Sequence, residues 1–422
     1  MKKIAAEIRK AGFDDYKIIE IDSREHQLYL LKERLESRRS VETHYYEITV
    51  YKHHAEQGKE LQGEYTFAYK PGNDLKHFLE QARVACFLIK NRRYHLIDSA
   101  RIMHVQVLDP ILSNPRETGD ELAAAVRKTK LEPGVRVTSA ELFLKRSRVS
   151  LMTSTGVELS KEKGLIEFEA SLLGKKGKQE QELNFHMHRR SVAGLRLEER
   201  LREYSRHTRN MLDVREPESG PATVVFHPPD ISNLLLPVVF HCSGRAKDQG
   251  ISRFVLDEKI VPNDCNTFSL KSSGLLPYGL YTDPFDDDGI PGQEHTIIDQ
   301  GVFKKFWTSK RYADYLGVEP TGAFKNLVIE PIIKKDFAEN EYYEIIQFSD
   351  FSPDPVTGDF VAEIRFGYRV NNREKTPIKG GSVGGNVFES LNRMYFTAEK
   401  IFEGDYLGPK FIALAHLTIS GQ

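Results

Sequence analysis

Three clusters in this chain have residue types and spacings that could do chemistry. The densest is acidic: Asp283, then Asp286, Asp287 and Asp288 ahead of Gly289. Carboxylates at this density suggest calcium, but the EF-hand order fails: with Gly289 at loop position six, the first position is Pro284 and the twelfth His295. The expected role is a turn whose carboxylates, Asp286 and Asp287, accept backbone N–H bonds. The second cluster, Gly380-Gly381-Ser382-Val383-Gly384, spells G-x-S-x-G. A nucleophile elbow needs a buried strand before the serine and a helix straight after it. Pro377 makes residues 376–379 a poor central strand, so Ser382 is expected in a glycine-flanked loop near a ligand or partner. The third, His186 and His188, would share one face of a strand, but two ligands beside Arg189 and Arg190 do not make a cation site. There is no H-E-x-x-H, P-loop or C-x-x-C.

The elements that must position these residues can be read from periodicity. Ile4, Ala5, Ile8 and Ala11 fall at helical spacing before Gly12. Leu75, Phe78, Leu79, Ala82, Cys86 and Ile89 form a stripe on a helix over 74–91. Between them, short strands are expected over 16–21, 28–31, 45–51 and 65–69. Thr118 and Glu121 have capping-box spacing and start a third helix running to about Lys130. Strands over 135–145, 148–153, 165–173 and 182–188 follow, with a hairpin turn at 174–177, then a helix over 195–212. A linker is expected at 217–221 and a strand at 223–226. Asp230 is expected to cap a helix that Pro237 breaks. Residues 257–293 read as loop, and strands dominate beyond.

Length and charge narrow the function. The chain has 422 residues, with 60 Lys plus Arg against 61 Asp plus Glu. Two or three domains are the prior. Without a basic excess, a protein that coats nucleic acid or an anionic membrane is not expected. Three scattered cysteines, no signal-type apolar segment and no membrane-length apolar run point to a soluble cytoplasmic protein.

The C-terminal half carries a resemblance. Leu280-Tyr-Thr-Asp-Pro-Phe-Asp-Asp-Asp-Gly-Ile-Pro, Ile297-Ile-Asp-Gln-Gly-Val-Phe-Lys-Lys-Phe and Leu316-Gly-Val-Glu-Pro-Thr-Gly resemble, in order, the TldD/PmbA family, also called modulators of DNA gyrase. Asp354-Pro-Val-Thr-Gly-Asp-Phe and Ile378-Lys-Gly-Gly-Ser-Val-Gly-Gly-Asn-Val continue the match. The resemblance implies one of two kinds of subunit. One is a zinc peptidase with H-E-x-x-x-H on a helix and a C-terminal cysteine ligand. The other lacks those ligands and pairs with the first to degrade unfolded peptides. Aligned on Ser243-Gly244, the family's metal positions fall on Leu235, Leu236 and Phe240, and no cysteine lies beyond Cys265. The chain therefore resembles the metal-free, PmbA/TldE-type member, with no catalytic or metal residue of its own and zinc expected in the partner.

The expectation is an α+β fold: helix-covered antiparallel sheets followed by a strand-rich domain. The parts are an N-terminal domain over 1–112, a middle strand-rich domain over 113–216 and a C-terminal domain over 217–422. The expected function is the non-catalytic subunit of a zinc metallopeptidase complex acting on unfolded peptides. Asp286, Asp287, Gly381, Ser382 and Asn386 are the candidates for peptide or partner contact. Two alternatives are a serine hydrolase using Ser382 and a protein that binds DNA gyrase.

Overall fold

The computed structural model describes residues 1–32, 34–99, 101–262 and 265–421, so residues 263 and 264 of the expected loop and the terminal Gln422 lie outside it. In the first half, the elements are α1 (Lys2–Lys10), β1 (Asp15–Leu31), β2 (Arg34–Glu56), β3 (Lys59–Tyr69), α2 (Leu75–Leu88), β4 (Asn91–Arg92), α3 (Pro115–Lys128), β5 (Val135–Thr153), β6 (Glu158–Lys176), β7 (Gln179–Arg189), α4 (Val192–Leu195) and α5 (Leu197–Asn210). The strands form one antiparallel sheet in the order β4-β3-β2-β1-β5-β6-β7.

This corrects the expectation of separate sheets before and after residue 112. β1 pairs along nearly its whole length with β2 on one side, Ile18 against Ile48, and with β5 on the other, Ile18 against Met152. The expected strands over 16–21 and 28–31 are one strand, as are those over 135–145 and 148–153. Strand residues alternate between faces. Ile18, Leu28 and Leu30 therefore share the helix-covered face. There, α1 and α2 bring Ile4, Ile8, Leu79 and Ala82 onto Ile18 and Ile48. Farther along, α3 and α5 bring Leu122, Val126 and Leu201 onto Leu28, Leu142 and Phe168. Ile19 lies on the opposite face and packs with Val149, Leu151 and Phe285.

Two local expectations shift. α3 begins at Pro115, whose missing N–H does no harm in a first turn, and Asn114 is its cap residue. Thr118 sits inside the helix and donates its hydroxyl to the Ile111 and Asn114 carbonyls, so the helix starts one turn before the expected capping box.

The second half contains β8 (Gly220–Phe226), α6 (Asp230–Leu234), α7 (Leu236–His241), α8 (Gly244–Asp248), β9 (Thr267–Ser273), β10 (Glu294–Asp299), β11 (Val302–Phe303), α9 (Lys310–Leu316), β12 (Asn326–Ile332), β13 (Glu341–Phe348), β14 (Asp359–Asn371), β15 (Glu374–Ile378), β16 (Ser382–Asn386), α10 (Val387–Ser390), β17 (Met394–Phe396), β18 (Lys400–Glu403), β19 (Tyr406–Pro409) and β20 (Ile412–Ser420). One sheet runs β11-β10-β9-β12-β19-β18. The other runs β13-β8-β20-β16-β14 and closes into a barrel because β13 also pairs with β14; β15 and β17 attach to it. Phe226, Leu234, Val238, Phe268, Ile297, Ile329, Ile364, Val383 and Leu414 join both sheets in one core. β9 lies within the expected loop. It is a central strand flanked by β10 and β12 and is buried almost throughout, so it lacks the alternation that marks a half-exposed strand. The architecture is α+β. Among the described residues no helix is long and apolar enough to cross a membrane.

Candidate functional site

The position that the resemblance assigns to a metal is occupied by α6 and α7. The expected break is present but falls at Leu235: Pro237 sits in the first turn of α7, where no N–H is needed, and two short helices result. Leu235 is buried in the main core, Leu236 is 43% exposed, and the Phe240 ring packs edge-on against His241. His241 is committed elsewhere. Its Nδ1 accepts from the Arg253 N–H at 3.1 Å, which leaves Nε2 to donate to the Val356 carbonyl at 2.8 Å. Burial also holds its pKa below the ordinary value. Cys242 is fully buried among apolar side chains. Leucine and phenylalanine offer no lone pair, so this donor set does not fit zinc. Among the described residues no group of three or more His, Cys, Asp or Glu is arranged to hold a metal.

The acidic turn lies where the second half meets the first sheet. Asp286, 5% exposed, accepts from the N–H groups of Asp288 (3.0 Å) and Ile290 (2.9 Å) at Oδ1 and of Ala323 (3.0 Å) at Oδ2. Burial, with Asp288 close by, raises its pKa above the usual carboxylate range. Asp288 is bound by Lys17 of β1 at 2.7 Å, and Asp283 by the buried Lys161 of β6 at 2.7 Å. Asp287 is exposed and caps nothing among the described residues, so the expected pair of capping carboxylates reduces to one. With its neighbours engaged by lysines and N–H groups, the cluster has no set of free carboxylates for calcium. Gly289 has φ +84°, and a Cβ there would stand 2.3 Å from Ile97 Cδ1, so the turn requires glycine. Beside the turn is a cavity of about 570 Å³, lined by residues of β1, β2, β5 and β6, the end of β7, and the segments around 281 and 324.

Ser382 does not lie in a loop. It opens β16, paired with Glu363 of β14 and Ser420 of β20. Gly381 before it has φ +67°, and an added Cβ would meet the Ser420 carbonyl oxygen at 2.5 Å. A serine at the start of a barrel strand is not the strand-to-helix elbow that the letters suggest. Asn386 ends the strand and caps α10, accepting from Phe388 and Glu389 N–H groups at 2.9 and 3.2 Å while donating to the Thr357 carbonyl and to Asp359. It also lines a separate cavity of about 440 Å³ with Arg253 and Phe388. The five candidates therefore fall in two places: Asp286 and Asp287 at the junction, Gly381, Ser382 and Asn386 on the barrel.

A third cavity, about 490 Å³, went unread in the sequence. It lies between α5 and the strands of the second half. Glu403 bridges Arg189 (2.7 Å) and Arg200; Glu344 bridges His227 (3.2 Å) and Lys375. Burial alone would raise the Glu344 carboxyl, but hydrogen bonds from His227 and Lys375 outweigh it and hold it at about 2. Burial lowers His207 to about 4, so its ring is neutral near pH 7; Nδ1 meets the Tyr368 hydroxyl at 2.9 Å. Asp230, expected as a cap, sits inside the first turn of α6 behind Pro229, and burial pushes its carboxyl up to about 7. The residues that line this cavity come from α5, β13, β14, β15, β18 and the loops at 227 and 410, at no fixed spacing, and no sequence signal unites them.

Residues 219–421 match the family described as the PmbA/TldA metallopeptidase C-terminal domain. A zinc metalloprotease TldD homologue from Saccharolobus solfataricus is 27% identical over 43% of this chain and 45% of its own length, so the match spans less than half of that relative. TldE from Thermococcus kodakarensis has the same fold, with a TM-score of 0.80 over 100% of both chains at 18% identity. A Thermotoga maritima protein described as a modulator of a DNA gyrase aligns with a TM-score of 0.77 over 99% of this chain and 98% of its own, at 19% identity.

Proposed function

As the chain belongs to the TldD/PmbA family, we propose that it is the non-catalytic subunit of a TldD/TldE-type zinc metallopeptidase complex that degrades unfolded peptides. One observation carries this reading: the helix that would present the metal ligands is broken at Leu235, just before Pro237, and offers Leu235, Leu236 and Phe240 instead. Hydrolysis at neutral pH needs an activated water and a base, and this chain supplies neither at that position. The zinc and the base belong to a homologous partner subunit with H-E-x-x-x-H. This chain contributes a wall against which the peptide lies, in the cytoplasm. The serine-hydrolase alternative loses its support with the strand geometry of Ser382. The gyrase alternative rests on the naming of a fold neighbour, and no feature of the structure favours it.

Strand addition by the peptide has little room here. The outer strands β4, β11 and β18 have two, two and four residues. On the outer strand β7, the Glu182 and Asn184 carbonyls already accept from Arg365 (3.0 Å) and Gln347 (3.1 Å). Short or covered edges resist pairing with another chain, so side chains in a cavity are the better grip.

The test compares this chain, a motif-bearing relative and their mixture on one fluorogenic unstructured peptide, with zinc analysis of each dialysed protein. Cleavage should require the mixture and stop with a chelator, and this chain alone should retain no stoichiometric zinc. Chelator-resistant cleavage by this chain alone, or one tightly held zinc per chain, overturns the proposal.

A further inference from the structure

The cavity beside the acidic turn has a charge imbalance that the described residues leave uncancelled. Its walls carry Lys145, Lys163, Arg190 and Lys325 against a single carboxylate, Asp283. That carboxylate is already engaged by Lys161, whose side chain is 1% exposed, and Lys325 lies 3.8 Å from its other oxygen. Arg190 is 7% exposed, yet its hydrogen bonds go only to backbone carbonyls: Leu280 at 2.9 and 2.7 Å and Val107 at 3.3 Å. Burial accordingly lowers its pKa.

The two strand lysines sharpen the point. In the β5–β6 register, Ser147 faces Lys163 and Lys145 faces Leu165, so Lys145 and Lys163 are diagonal neighbours on one face. Like charges on facing strands repel, and neither lysine has a carboxylate within ion-pair distance among the described residues. Of the nearest acids on this face, Glu25 stands opposite Lys145 in register but accepts from Gln27, and Glu167 lies 3.9 Å from His188, so neither closes an ion pair with these lysines. A cleft lined by one sign of charge with low-dielectric walls focuses the field toward an opposite charge. Its volume, about 570 Å³, lies in the range of ligand sites, and Tyr45, Tyr281 and Phe324 supply apolar surface; Tyr281 is 51% exposed.

We propose that this cavity recognises carboxylates of an unfolded peptide, carried either by acidic side chains or by its C-terminus. The inference rests on the reading that this chain holds such peptides, and it names which ones. Lys145, Lys163 and Lys325 meet the carboxylates, and the exposed Tyr281 packs along the chain beside them. The self-neutralised cavity around Glu344 and Glu403 offers no comparable surplus.

The experiment measures fluorescence anisotropy of labelled, unstructured peptides of equal length titrated with the full chain. The peptides are glutamate-rich, glutamine-rich and lysine-rich, each with a free and an amidated C-terminus. The glutamate-rich peptide should bind about tenfold or more tighter than the glutamine-rich one, with affinity falling as salt rises. A loss on amidation assigns the C-terminal carboxylate; no change assigns the side chains. The double variant K145Q/K163Q should lose about tenfold in affinity for the glutamate-rich peptide, while the charge-matched surface pair K59Q/K400Q should not. Equal binding of all peptides, equal loss in both double variants, or stronger binding of an oligonucleotide of the same charge overturns the proposal. Cleavage of the glutamine-rich peptide by the mixture is read separately. If it persists without charge discrimination, only the cavity assignment fails. If it is absent while the charge preference holds, the peptidase-subunit reading fails and the anion site stands.

Discussion

Replacing Asp286 tests how the acidic turn is held to its neighbouring segment within the second half. Its carboxylate accepts three backbone N–H groups, two within its own turn and one from Ala323 in a separate segment. The site is nearly closed to solvent, so water cannot fully replace the lost acceptor. Each buried N–H left without a partner costs about 1 kcal/mol or somewhat more. Asp286→Ala should therefore cost about 3 kcal/mol in total. Asp286→Asn keeps Oδ1 for Asp288 and Ile290 but turns an amide N–H₂ toward the Ala323 N–H, a loss of about 1–2 kcal/mol. For domains of this size, 1 kcal/mol corresponds to about 2–4 °C in melting temperature. The expected order is wild type, then Asn, then Ala, with Ala lower by about 6–12 °C. Thermal melts at pH 7, with and without added calcium, make the measurement. An Ala variant within about 1 °C of wild type would refute the accounting of those bonds. A wild-type melting temperature that rises with calcium would refute the assignment of the carboxylates to protein partners.

Ser382→Ala should leave turnover of the assembled complex unchanged and shift stability by no more than about 0.5 kcal/mol, because its strand partners are backbone groups; a drop in turnover of two orders of magnitude with the fold preserved would restore a nucleophilic role. His207 should make the protein acid-sensitive in a defined window. Its folded-state pKa is lowered to about 4, so as pH falls from about 6.5 toward 4 the unfolded chain binds more protons and stability is lost, by up to about 3 kcal/mol. His207→Gln should flatten melting temperature against pH across that window, and a profile identical to wild type would contradict the assignment.

What the sequence revealed depended on how each element meets solvent. α1 and α2 are one-sided, so their stripes at Ile4, Ile8, Leu79 and Ala82 could be read directly. β1 was harder. Its middle, Asp22 to Gln27, is polar throughout and resembles a break between strands, although Ser23 and His26 are buried. β9 was hidden for the opposite reason, being covered on both faces. At the candidate sites, Asp286 followed from local turn chemistry, and its tie to Ala323 did not. The cationic cavity needs Lys145 and Lys163 on adjacent strands, Arg190 past a third and Lys325 from the other half. The register that brings them together comes from tertiary pairing, which no local spacing encodes.

The pairing of β1 with β5, and of β8 with β20, also governs the order in which the molecule can be made. A ribosome releases the N-terminus first. β1, β2 and β3 can form a meander early, but the second flank of β1 stays open until residues 135–153 have emerged. The barrel waits longer, because β8 opens the second half and its antiparallel neighbour β20 comes about 190 residues later along the chain, the last among the described strands. Through the synthesis of everything between, β8 is a hydrophobic strand without that neighbour, and contacts so distant along the chain form slowly. Unpaired strands of this kind invite association with other chains. During its own birth, the nascent polypeptide is thus itself a stretch of exposed, extended chain in need of protection.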